Sequence, residues 1–204
     1  MIFYRLDERD FSTKINMAVF PGLQGGPHLH QIGGLAVQLN EVMSPAFKRY
    51  AGQVVSNCRA LGEELTKLGY KMCSGGSDNH LQLWDLRPCG ITGSKMEYMC
   101  EEISISLNKN AIYGDRSALS PGGVRIGTPA LTSRGFTEES FQTVAGFLHR
   151  AAQLCIQIQK EAGTKKLKKF KELMHDRAEI QELKAEVKVF ARSFAMPGFA
   201  TDGL

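Results

Sequence analysis

The chain has 204 residues, room for one compact domain or one and a half. It is 43% hydrophobic and 23% charged, an ordinary globular balance, and its net charge of +4 is mild. No apolar run reaches the roughly 18 residues of a membrane span, and Met1–Ile2–Phe3–Tyr4–Arg5 lacks the long apolar stretch of a secretory signal.

In chain order, "MIFY" reads as a short buried strand and "LDERDFSTK" as a loop. Pro27 to Met43 reads as a helix, with Ile32, Leu35, Ala36, Leu39, Val42 and Met43 on one side. Pro45 starts a longer helix. Phe47, Tyr50, Val54, Cys58, Leu61, Leu65 and Leu68 step by three or four, and Gly69 stands where a terminating glycine belongs. "YKMCSGGSDNHLQLWDL" reads as strand, Gly-Gly turn, strand, with Leu81, Leu83 and Leu86 inward. Ser94 and Glu97 match a capping box ahead of Met96, Met99, Cys100 and Ile103. "ISISL" (103–107) and "GVRIG" (123–127) read as strands, making a small α+β layer. Beyond Thr137 the chain is helical, one helix marked by Phe141, Val144, Leu148, Ala151, Cys155 and Ile158, another by Ile180, Leu183, Val187, Phe190 and Phe194. The opening strand stands apart from the others, so it belongs with strands supplied from elsewhere.

Five scattered cysteines (Cys58, Cys73, Cys89, Cys100 and Cys155) without a CxxC pair read as reduced thiols of a cytosol-like compartment. Residues 160–171 carry six lysines against one glutamate. That run is either a polyanion surface or, as Leu167, Phe170, Leu173 and Met174 beneath it indicate, the solvated face of a helix. His28 and His30 lie two residues apart and face different ways on a helix, so they do not form a metal pair. In Gly25–Gly26–Pro27, proline at the first helical position would make Gly26 the cap. The free amides there would then face an anion such as phosphate; the alternative is a plain turn. Arg125 sits between apolar residues flanked by glycines. Its fork suits a ligand carboxylate, and the alternatives are an exposed strand face or an internal acidic partner. Asn108–Lys109–Asn110 reads as a loop, with Lys109 no nucleophile by itself.

"MIFYR", "AVFPGLQGGPH", "NCRAL", "GGSDNHLQLWDLR", "NKN…GDRSAL" and "GGVRIGTPALTSRG" occur in an order that resembles serine hydroxymethyltransferase, over nearly the whole chain. The stretch resembles the C-terminal portion of that enzyme, a fold-type I pyridoxal-phosphate α/β transferase that interconverts serine and glycine with tetrahydrofolate as one-carbon carrier. The resemblance implies the end of the large cofactor domain over 1–44, a bridging helix over 45–69 and a small C-terminal α+β domain over 70–204. It implies that Arg125 grips the substrate carboxylate. Gln24, Gly25 and Gly26 would meet the cofactor phosphate across a dimer interface, in a homodimer or homotetramer. Phe20 and Asn110 would line the folate site. In the family the Thr-Thr-His-Lys motif with the Schiff-base lysine lies just before "MIFYR". The chain by itself is therefore expected to be inactive, with no catalytic residue of its own. Tyr113 replaces the family's usual proline, and the loop before "AVFPG" is short. A cytoplasmic setting is expected, with a mitochondrial one as the alternative. The competing reading is a non-catalytic, family-derived interaction or folate- or carboxylate-binding module; RNA binding through the lysines is the weakest reading.

Overall fold

A computed structural model of the chain describes residues 1–117, 119–175 and 177–199. They form two compact units, Met1–Phe47 and the chain from Lys48 onward.

The first unit is helical. Residues 1–4, expected as a strand, join no ladder among the described residues and are exposed. A strand's amides and carbonyls need a neighbouring strand, and the described residues of this unit offer none. The segment expected as a loop contains helix α1, Phe11–Met17. Asp10 caps it, its carboxylate accepting the Thr13 amide at 3.4 Å. A π-helical stretch, Ala18–Leu23, follows and is broken at Phe20, whose backbone is extended. Helix α2 spans Leu29–Val42 with His28 as its cap. It starts later than Pro27, so Gly26 is not the cap: proline's fixed φ allowed an early start, but Gly26 and Pro27 remain outside the helix. The α2 residues Leu29, Ile32, Leu35, Leu39 and Val42 are all exposed, as are Phe20 and Leu23.

The second unit holds the core. Helix α3 spans Pro45–Lys67 and buries Val54, Cys58, Leu61 and Leu65, the stripe its spacing predicts. Gly69 ends it at φ +89°, and the Tyr70 amide reaches back to the Leu65 carbonyl at 3.0 Å. Gly62 faces the sheet, where a Cβ would lie 2.2 Å from the Gln82 amide nitrogen. Four short strands follow: β1 Lys71–Met72, β2 Leu81–Asp85, β3 Asn108–Asn110 and β4 Gly123–Gly127. They form one antiparallel sheet in the order β1-β2-β4-β3.

The inward residues of β2 differ from expectation. Gln82 and Trp84, with Leu86 just beyond, are buried, whereas Leu81 and Leu83 are only half-buried. Both faces of this strand carry apolar residues, so alternation alone cannot select the inner one. Helix α4, Gly93–Glu102, is capped from Thr92, not by a Ser94–Glu97 box, yet it buries Met96, Met99 and Cys100 as expected. "ISISL" is no strand: Ile103 ends α4 and the ladder begins only at Asn108.

A short helix, α5 (Pro129–Thr132), leads to α6, Glu138–Ala162, which buries Phe141, Val144, Leu148, Ala151, Cys155 and Ile158. Each fully buried Phe or Leu contributes roughly 1.5–3 kcal/mol. Gly163 ends α6 at φ +60°. Helices α7 (Leu167–Met174) and α8 (Ala178–Arg192) close the unit. In α7 Phe170 and Met174 turn inward while the lysines of 160–171 are exposed, the solvated face already indicated by their spacing. Trp84, Val124 and Ile126 from the sheet share one core with Met96, Met99, Leu148, Cys155 and Phe170. Helices with one antiparallel sheet give the α+β arrangement expected.

Candidate functional site

Arg125 lies at the centre of β4, paired with Leu83 of β2 and Asn108 of β3. Asn110 pairs with Gly123. Directly paired residues of an antiparallel ladder project to the same side, and residues two apart share a face. Leu83, Asn108, Asn110 and Arg125 therefore occupy one face, and Trp84, Val124 and Ile126 the other, which is the core side. Arg125 is exposed, and its guanidinium makes no ion pair or hydrogen bond among the described residues. An internal acidic partner, one of the alternatives open for it, is thus not found there.

Gly123, opposite Asn110, leaves room for a methyl of Ile112, which would lie 2.7 Å from a Cβ placed there. Asn110 donates from its side-chain amide to the Ala111 carbonyl at 2.7 Å. Asn108–Lys109–Asn110 is strand, not loop. Lys109 belongs to the opposite face, where its ammonium and its backbone amide both meet the Glu97 carboxylate, at 2.9 and 3.0 Å. Partial burial raises the affinity of Glu97 for a proton, but these two donors outweigh it and leave the carboxyl below its ordinary range.

The remaining expected site residues belong to the first unit. Phe20 is exposed at the break in the π-helical stretch. Gln24 is extended, its amide already bonded to the Val19 carbonyl at 2.7 Å. Gly25 and Gly26 follow with no hydrogen-bond partner for their amides among the described residues, and no atom lies within 4 Å of where a Cβ would stand. Such bare backbone, just ahead of the positive end of α2, suits a phosphate group. His28 and His30 stack with ring centroids 5.9 Å apart, and no cluster of metal-binding side chains occurs among the described residues.

Sequence reasoning missed a charged group at the C-terminal end of β2. The nearly buried Asp85 carboxylate takes a two-pronged contact from Arg87, at 2.9 Å to each oxygen, and lies 3.6 Å from the Lys71 ammonium. The Arg87 guanidinium holds this carboxyl below its usual range. The Asp-x-Arg spacing was the available signal, but many surface pairs share it.

The serine hydroxymethyltransferase family model matches residues 5–148. The chain is 51% identical over 98% of its length to serine hydroxymethyltransferase 4 of Arabidopsis thaliana. It is also 51% identical over 97% of its length to the cytosolic serine hydroxymethyltransferase of Oryctolagus cuniculus. To the cytosolic enzyme of Neurospora crassa it is 50% identical over 92% of its length. It covers 45%, 44% and 40% of those relatives, so it spans a little under half of their length. A match of this extent and identity leaves one assignment: the chain belongs to the serine hydroxymethyltransferase family.

Proposed function

We propose that this chain is the C-terminal part of a pyridoxal-phosphate-dependent enzyme that interconverts serine and glycine and passes the one-carbon unit to tetrahydrofolate. On this reading residues 1–44 end the cofactor domain, 45–69 bridge, and 70–204 form the small domain. The observation that carries the reading is Arg125: an unpaired guanidinium on the open face of a sheet, with Asn110 beside it on the same face.

Arg125 receives the amino-acid carboxylate in two parallel hydrogen bonds. That contact fixes the rotation of the substrate about its Cα and so selects the bond that breaks, an orientation role rather than proton transfer. Asn110 and Phe20 line the folate side. The Gly25 and Gly26 amides meet the cofactor phosphate with Gln24 alongside, serving a neighbouring subunit of a homo-oligomer. Pyridoxal phosphate, when bound, supplies the electron sink for the bond cleaved at Cα. These 204 residues contain no Thr-Thr-His-Lys, so the lysine that anchors the cofactor comes from outside them. The exposed apolar residues of α2 suit a surface covered by the rest of a larger domain. The cytosolic relatives support a cytosolic setting.

Arg125→Lys in the holoenzyme tests the reading. Lysine keeps the charge and loses the fork. Serine affinity is expected to fall at least about tenfold, or about 1.4 kcal/mol. An unchanged serine affinity refutes the anchor.

A further inference from the structure

The connection from β3 to β4 begins right after Asn110 and ends at Gly122, three residues before Arg125. It is gathered at its base by a single side chain. One oxygen of the Asp115 carboxylate accepts the Ile112 amide at 2.9 Å and the Gly122 amide at 2.8 Å. Those two amides lie at opposite ends of the connection, so one carboxylate closes it as a loop. The other Asp115 oxygen faces Arg87 Nη1 at 3.7 Å, and the same Nη1 donates to the Tyr113 carbonyl at 3.0 Å.

Arg87 is itself fixed, because its Nε and Nη2 are committed to Asp85. The chain of contacts therefore runs from β2 through Asp85 and Arg87 to Asp115 and both ends of the connection. Two further bonds reinforce it: the Leu86 amide to the Gly122 carbonyl at 2.9 Å and the Gly93 amide to the Pro121 carbonyl at 2.8 Å. Gly122 is required for the closeness. A Cβ there would stand 2.7 Å from an Asp115 carboxylate oxygen and 2.8 Å from Arg87 Cδ.

We infer that Asp115, braced by Arg87, is a positioning residue that sets where Asn110 stands relative to Arg125, and thereby governs engagement of folate separately from engagement of serine. The inference rests on the folate role proposed for Asn110. Arg125 is held by ladders to β2 and β3 on both sides, whereas Asn110 is the last residue of a three-residue edge strand. Loosening the connection frees the edge residue first. A charged acceptor closing the loop also strengthens both amide bonds over a neutral one.

The test compares Asp115→Ala, Asp115→Asn and Asn110→Ala in the holoenzyme, reading the KM for tetrahydrofolate and the dissociation constant of serine measured without folate. Asp115→Ala is expected to raise the folate KM tenfold or more and to leave serine binding within twofold. Asp115→Asn, which keeps an oxygen for the two amides, is expected to recover most of the loss. In the 204-residue chain, Asp115→Ala is expected to speed hydrogen exchange at the Ile112 and Gly122 amides at least tenfold, with Val124 and Ile126 unchanged. A raised folate KM for Asn110→Ala together with a normal one for Asp115→Ala overturns the positioning role alone. So does an equal rise in the folate and serine constants, which marks general damage. A normal folate KM for Asn110→Ala overturns the folate reading, and the inference with it, even where the amides exchange faster. Should Asp115→Ala not accumulate, Arg87→Lys, which cannot span Asp85 and Asp115 together, carries the same expectation and the same refutation.

Discussion

Replacing Asn57 by alanine should cost the second unit more than any methylene count suggests. Asn57 is fully buried in α3. Its amide donates to the Thr132 hydroxyl and to the Phe136 carbonyl, each at 2.9 Å, and its oxygen accepts from Gln53 at 2.9 Å. Thr132 in turn donates to the Thr128 carbonyl, and the Thr128 hydroxyl donates back to Val54 of α3. One side chain thus ties the long helix to α5 and to the entry of α6. Alanine removes three bonds. Gln53 recovers water or keeps Glu138, but the lost amide strands the Phe136 carbonyl at a cost of roughly 1–3 kcal/mol. With roughly 1 kcal/mol more for the Thr132 contact, the total is about 2–4 kcal/mol. For a unit of this size that is a fall in melting temperature on the order of 10 °C. The single tryptophan, Trp84, is fully buried in the same unit, so its fluorescence through a urea or thermal transition reports the loss. Asn57→Asp separates hydrogen bonding from packing. It keeps the volume, but its ionised form has no donor, so at neutral pH it should cost at least as much as alanine. A loss below about 1 kcal/mol for alanine, or an aspartate better tolerated than alanine, would refute the reasoning.

Lys95 is buried with its ammonium on the Gln159 oxygen at 2.5 Å and over the Phe170 ring at 5.3 Å, with no carboxylate partner found among the described residues. Burial, the main cause, lowers its pKa, with Lys165 nearby acting the same way and Cys155 opposing. The unfolded chain then holds this proton to higher pH than the folded one, so the lysine's contribution to stability rises as pH climbs from the lowered value toward the ordinary value of about 10.4. Lys95→Met is expected to be neutral or stabilising by about 1 kcal/mol at pH 7, with that advantage shrinking as pH rises; urea midpoints of the two proteins from neutral to alkaline pH measure the difference, and a constant difference refutes it. Burial also pushes the thiols up, so Cys73, the exposed one, should be modified first by a thiol reagent, Cys89 next, and Cys58, Cys100 and Cys155 only as the unit unfolds. Mass mapping of partly labelled protein checks the order.

The sequence by itself determined the elements whose evidence is local and repeated. The stripes of α3 and α6 announce their helices because residues three and four apart must share a face. Gly69 marks an end because a left-handed residue there is nearly free for glycine. "GVRIG" coincides with β4, and the quoted motifs carried the family. Local evidence failed where a competing rule was equally local. Asp10 capped a helix inside a segment that looked like loop, and "ISISL" alternated without forming a ladder.

Tertiary structure decided what depends on distant partners. Whether Leu83 or Trp84 faces the core was undetermined by an apolar strand; the helices packed on the sheet chose Trp84. The same choice left Arg125 and Asn110 together on the open face, which is why they can share a site. Residues 1–4 read as a strand from their apolar run, but a strand exists only beside another, and none adjoins them among the described residues. The link from Asp85 through Arg87 to Asp115 joins residues far apart in the chain, and only the antiparallel closure of β3 on β4 brings them within reach.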